Sequence, residues 1–337
     1  MKFATVLSTA GLLSTAVLAH PGGHHVPRAE MERQAALSKR CASQAGLMNE
    51  KRYTRRMKAK RSLDIEERSD AGDAIYKMNI DAPYYDVLQN DTCVLSPDVT
   101  QGPYLWNRAQ IKRQDMSEDQ PGVPLWLDIG VLDMATCEPL PNALVSFWHC
   151  NATGSYSSFT GLDPNQGFKD YLHEANIRNF TIGKSDLHTD DTTFLRGIWP
   201  SNDEGMLEMK TVFPGFYAGR TIHVHAQIYT DWTLHDNGTL QSGHVVSTGQ
   251  LYFPENVTKT LMKLEPYKSH TEIERVTNEE DHHIGEGRVG GYDPVVNVVP
   301  ADGENIENGI IGYITMGVDT TDNYKEPEGD DQFWFKK

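Results

Sequence analysis

Residues 123–133 read VPLWLDIGVLD, and residues 143–150 read ALVSFWHC. In the first run Leu125, Leu127 and Ile129 alternate with Asp128 and Gly130, the period-two pattern of a strand with one face buried. Pro139 to Asn142 supplies the turn between the two runs. Similar runs rich in Val, Ile, Phe, Tyr and Trp fall at 206–213, 222–230, 245–253 and 308–317, in a region punctuated by Pro and Gly. No helical pattern alternates with them at a βαβ spacing, and no repeat of domain-building length is present. The expected fold is mainly β: an antiparallel β-sandwich core, with a helical, basic amino-terminal arm before it and an irregular acidic C-terminal tail after it.

The ends of the chain differ from its centre. Of 337 residues, those from 20 to 68 carry 12 bases against 6 acids, yet the net charge of the whole is -16. The rest is therefore strongly acidic, which argues against nucleic acid as a partner. Residues 1–19 have a basic start, an apolar run and a small-residue site at Val17-Leu18-Ala19, as in a secretory signal peptide. No later run is long enough for a membrane span. Sequons at Asn90, Asn151, Asn179, Asn237 and Asn256 and an even cysteine count (Cys41, Cys93, Cys137, Cys150) fit a secreted glycoprotein with two disulfides of open connectivity. The expected organisation is a signal peptide (1–19), a partly helical arm open to processing at its dibasic pairs (20–94), a catalytic β-sandwich (95–318) and an acidic tail (319–337). Residues 20–26, HPGGHHV, read as a loose terminus.

Within the β region, His223-Val224-His225 places two imidazoles on one face of a strand, about 7 Å apart, where they can share a metal ion. A lone pair of this kind is weak evidence, since two satisfied core histidines give the same pattern. A cupin reading is disfavoured because Ile228-Tyr229-Thr230 stands where a glutamate is expected. Tyr217 and Arg220 precede the pair by a few residues, after the Pro214-Gly215 turn. Tyr156 follows a Gly turn at the end of another strand.

The combination WHCNATGSYS (148–157), FPGFYAGRTIHVH (213–225) and STGQLYF (247–253) closely resembles the intradiol ring-cleavage dioxygenases, particularly their secreted fungal branch. CEPLPNA, TTFLRGIWPSNDEG and GIIGYITMGVD extend the resemblance over roughly residues 95–318. It implies an extracellular enzyme that cleaves catechol-type rings between the two hydroxyl-bearing carbons with O2, giving muconate-type diacids. It also implies a non-haem Fe(III) held by Tyr156, Tyr217, His223 and His225, with Tyr217 the ligand that substrate displaces. Arg220 would stabilise developing negative charge, and Gln250 would position Arg220 or the ring. Anionic phenolate oxygen suits a hard ferric ion. The partners implied are a small catechol and O2, with room for a homodimer. The chain departs from the family pattern at Gly102-Pro103-Tyr104-Leu105-Trp106, where the pocket wall is expected. The competing reading is a non-catalytic secreted β-sandwich that binds wall or carbohydrate through aromatic platforms. A further one is a copper or zinc enzyme using the same histidines.

Overall fold

The computed structural model describes residues 32–33, 36–37, 39–48, 50–52, 54, 99–236, 240–241, 243–288 and 292–321. The signal peptide, the His-rich segment at 20–26, Cys93, the sequons at Asn90 and Asn237, and most of the acidic tail lie outside the described residues.

Two sheets carry the fold. The first contains β1 (Pro124–Asp133), β2 (Glu138–Pro139), β5 (Met206–Val212), β10 (Asn297–Pro300) and β11 (Ile310–Val318), with β2 and β5 pairing β1. The second runs in the order β4-β3-β6-β9, from β3 (Leu144–Trp148), β4 (Arg196–Pro200), β6 (His223–Thr230) and β9 (His244–Tyr252). A small hairpin, β7 (Thr233–Leu234) with β8 (Leu240–Gln241), follows β6. Two short helices, α2 (Phe168–Glu174) and α3 (Glu255–Leu261), and a one-turn helix, α4 (His282–Gly287), lie outside the sheets. Leu125, Leu127, Ile129 and Val131 of β1 meet Val145 and Phe147 of β3 and Val224, Ala226 and Ile228 of β6 in one buried core.

The six strands expected from the sequence are present, and the sandwich is mostly antiparallel. The exception is β1 with β11, which pair in parallel from Leu125↔Ile310 to Asp133↔Val318. Two strands gave little signal. β4 is only RGIWP and β10 only NVVP, each carrying a proline at a position where alternation is too short to read.

The face of β1 that carries Asp128 and Gly130 is covered rather than solvated. Helical residues 39–48, termed α1, lie across it. Cys41, Ala45 and Met48 form a stripe at helical spacing, continued by Arg52, and all four are buried. Gly130 permits this approach. A Cβ there would stand 2.9 Å from Met48 Sδ and 3.0 Å from Arg52 Nη1. Arg52 donates to Ile314 O at 2.9 Å and Thr315 Oγ1 at 3.1 Å and faces the Asp128 carboxylate at 3.8 Å. Half of the dibasic pair Lys51-Arg52 is thus sunk in the sheet, as neither a solvated nor a protease-facing residue.

Of the two disulfides expected, one is seen among the described residues. Cys41 bonds Cys137 across 96 residues, while Cys150 is a buried free thiol. Cys150 sits among the aromatic rings of a second core cluster with Tyr104, Tyr156 and Tyr217, and burial pushes its thiol up to about 12. The Cys41–Cys137 bridge closes a long loop, so its main effect is on the unfolded chain. Replacing both cysteines by serine is expected to lower stability by about 2–4 kcal/mol. A urea titration of both proteins checks this, and an unchanged midpoint would show that α1 is held by packing alone.

Candidate active site

The register of the second sheet builds the floor of the site. Trp148 of β3 lies opposite Arg196 of β4 and His225 of β6, and His225 lies opposite Gln250 of β9. Directly paired residues share a face, so Arg196, Trp148, His225 and Gln250 form a row across all four strands. The Trp148 and His225 rings stack at 4.8 Å and 3°. His223 and Tyr252 are the adjacent pair toward one strand end. Val224 and Ala226 point the other way, into the sandwich core.

Two turns bring in the phenols. After β3, Asn151 Oδ1 accepts from Thr153 N, Thr153 Oγ1 and Ser155 N, folding the chain back so that Tyr156 faces the row. Gly154 has a φ of +87°, and a Cβ there would lie 2.3 Å from Phe216 O. The first turn thus abuts the second, and Gly215 N donates to Asn151 O at 3.1 Å. The second turn carries Tyr217.

Tyr156, Tyr217, His223 and His225 are all buried. Tyr217 Oη and His225 Nε2 each stand 3.2 Å from His223 Nε2. The Tyr156 and Tyr217 rings are 5.5 Å apart. His223 Nδ1 lies 2.7 Å from Thr221 O. A carbonyl only accepts, so Nδ1 carries the proton and the Nε2 lone pair is turned inward. This is how a metal-ligating histidine is usually oriented. Tyr156 Oη, buried as well, makes no well-formed hydrogen bond.

The electrostatics fit a cation at the point of convergence. Burial holds both imidazoles neutral, well below their ordinary value. The Arg220 charge adds to this at both. Burial also raises both phenols: the neighbouring Tyr217 and Cys150 raise Tyr156 further, while Arg220 opposes the rise at both. Left alone, the cluster is four neutral donors with one orphaned oxygen. A trivalent cation would draw the protons off the phenols and satisfy all four. Among the described residues no group of three or more His, Cys, Asp or Glu is placed to hold a metal. Any centre here must draw its anionic ligands from tyrosine. The residues present therefore fit a ferric ion.

Residues 99–258 match the family model described as Dioxygenase. The solved structure of an intradiol ring-cleavage dioxygenase from Tetranychus urticae superposes with a TM-score of 0.55 at 26% identity, over 69% of this chain and 98% of that one. Over this span the chain is similar to the intradiol ring-cleavage dioxygenases. The crystal structure of another dioxygenase matches with a TM-score of 0.54 at 25% identity, again over 69% and 98% of the two chains. No curated protein matches the chain.

Around its four donors the dioxygenase places three residues that sequence reasoning either named or missed. Arg220, named, is fully buried and donates from Nη2 to Gln250 Oε1 and to Tyr252 Oη. Gln250 Nε2 in turn donates to Thr100 O at 3.0 Å, so Gln250 links Arg220 to the segment leading to Tyr104. Arg196, missed, donates from Nη2 to Tyr104 O at 2.8 Å and Ser157 O at 2.6 Å, and from Nε to Ser157 Oγ at 2.8 Å. It thereby braces the two loops whose rings, Tyr104 and Tyr156, stack at 4.6 Å. Burial lowers the Arg196 guanidinium to about 10, against the upward pull of Tyr156 and Asp190, so it stays cationic at neutral pH. Asp281, also missed, accepts from Arg220 Nε at 2.8 Å. Arg196 lies in a quoted motif, TTFLRGIWPSNDEG, and could have been found there. Asp281 stands 61 residues from Arg220 in a charged stretch that reads as surface.

Proposed function

We propose that this dioxygenase is a secreted, non-haem Fe(III) enzyme that opens catechol-type rings between the two hydroxyl-bearing carbons and yields muconate-type diacids. The observation that carries this reading is the convergence of two phenols and two inward-facing imidazoles beside one buried arginine. Tyr156, Tyr217, His223 and His225 would hold the iron. When bound, it would bring a catecholate and O2 to react within one site.

The chain's own groups then have distinct tasks. As the tyrosinate that would hold the iron, Tyr217 Oη would take one proton from the incoming catechol and end as the neutral phenol that burial favours. Arg220 presents charge to the substrate anion: its Nη1 is buried with no hydrogen-bond partner, so its two N–H groups are open to an oxygen as negative charge develops. Tyr104, stacked on Tyr156, and the Trp148 ring under His225 keep the donors from turning and hold water away. Trp106 packs against the same aromatic cluster and stacks on His188 at 4.1 Å. His188 is in turn tied to Asp186 at 2.6 Å. If the catechol enters beside this cluster, the Trp106 ring would narrow the choice of ring substituents.

The disulfide is compatible with an oxidising compartment, and no helix among the described residues is long and apolar enough to cross a membrane. A binding module would present aromatic platforms, but the exposed large hydrophobics among the described residues are Leu47, Ile111 and Leu234. Turnover under labelled oxygen tests the reaction. Both atoms of one O2 molecule are expected in the ring-opened diacid. A product with label in only one carboxylate at the outset, or ring opening beside rather than between the hydroxyls, would contradict it.

A further inference from the structure

We propose that Asp281, on a C-terminal strap beyond the span of the family match, is the positioning residue that sets Arg220 for ring cleavage. The matched span ends at residue 258, yet the carboxylate of Asp281 is wholly buried against Arg220. Its Oδ2 accepts from Arg220 Nε at 2.8 Å and from Thr221 N at 2.8 Å, and its Oδ1 accepts from His283 N at 2.8 Å. The strap is fixed beside it. Asn278 accepts from Thr221 Oγ1 at 2.8 Å, donates from Nδ2 to Phe253 O at 2.8 Å, and donates from its backbone N to Glu255 Oε1 at 2.8 Å.

A guanidinium has five N–H groups in one rigid plane. In Arg220 the Nε–H is taken by Asp281, and Nη2 is taken by Gln250 and Tyr252. A plane held at both of these points cannot swing, so the unpartnered Nη1 is aimed in one direction. Gln250 alone would hold the far end and leave the near end free to pivot. The carboxylate also balances a cation that burial would otherwise disfavour. It thus keeps Arg220 charged and immobile without touching substrate itself.

This inference rests on the reading of Arg220 as the charge-bearing group, and a double-mutant cycle on the iron-loaded full chain separates the two. Asp281→Asn is expected to lower kcat about 10- to 100-fold, as a small misplacement of a catalytic group does. Iron content and the affinity for catechol measured without oxygen should stay within about twofold. In an Arg220→Met background the same change should cost nothing further, since a residue that acts through another has no effect once that other is gone. Asp281→Glu, which keeps the charge one methylene farther out, should recover part of the kcat and serves if the asparagine variant does not fold. An Asp281→Asn enzyme with unchanged kcat, an Asp281→Glu enzyme no faster than Asp281→Asn, or a loss that persists in full beside Arg220→Met overturns the proposal. If Arg220→Met itself turns over normally, the reading of Arg220 has failed and the role of Asp281 falls with it.

Discussion

Tyr156→Phe is expected to give a folded protein that binds iron at least about 100-fold more weakly and has no measurable ring cleavage. The change removes one oxygen and nothing else. The ring keeps its stack on Tyr104 and its place in the aromatic cluster. Because Tyr156 Oη makes no well-formed hydrogen bond in the metal-free cluster, its loss should leave the metal-free melting temperature unchanged or slightly higher. A purely structural tyrosine predicts the opposite: lower stability with iron unaffected. His225→Ala should lose iron to a similar extent, but it also opens a cavity beneath Trp148 and so costs stability as well. The phenylalanine variant is the cleaner test. Metal analysis by mass spectrometry with melts of the metal-free protein decides it, and a variant with stoichiometric iron and full rate would remove Tyr156 from the ligand set.

The second large effect is at Arg220. Arg220→Lys is expected to keep iron and lower kcat by about 10²–10³-fold, the usual cost of losing one preorganised donor at a developing anion. Lysine preserves the charge opposite Asp281 but not the planar fork, so it cannot serve Asp281, Gln250 and substrate together. Arg220→Met should lose a similar factor and also destabilise the fold by about 3–5 kcal/mol, because it leaves the Asp281 carboxylate buried without its cation. Asp281 shows how closely the two charges are matched: burial works to raise its carboxyl, yet Arg220 holds it below the ordinary carboxylate value. Stopped-flow mixing of the catechol-loaded enzyme with oxygen separates the chemical step from binding. A lysine variant with normal kcat would mean that charge alone, without direction, suffices.

How much of this was legible in the chain varies from residue to residue for physical reasons. Alternation located β1, and runs rich in Val, Ile, Phe, Tyr and Trp located β3, β5, β6, β9 and β11, because each contributes to the sandwich core. It failed at β4 and β10, which are short and bear prolines, and it could not show that β1 and β11 run parallel. The covering of the outer face of β1 was not legible, since the helix that packs over Asp128 and Gly130 is some 80 residues away in sequence. At the site, the histidine pair follows from strand geometry, and the two tyrosines and Arg220 came from the order of several motifs. Arg196 and Asp281 were missed because their work is done through side-chain hydrogen bonds to residues 39 to 92 positions away. No local spacing rule reaches that far. The one disulfide among the described residues illustrates the same limit: parity suggested two, but Cys150 is a buried free thiol enclosed by aromatic rings beside the site.

The most direct test of the whole account is the visible absorption spectrum of the iron-loaded protein, recorded before and after adding catechol in the absence of oxygen. Two tyrosinates on a ferric ion predict a broad red-brown charge-transfer band that moves to longer wavelength as the diol binds. A protein that remains colourless after ferric reconstitution, or a band that catechol leaves unmoved, would contradict the assignment of Tyr156, Tyr217, His223 and His225 as the iron site.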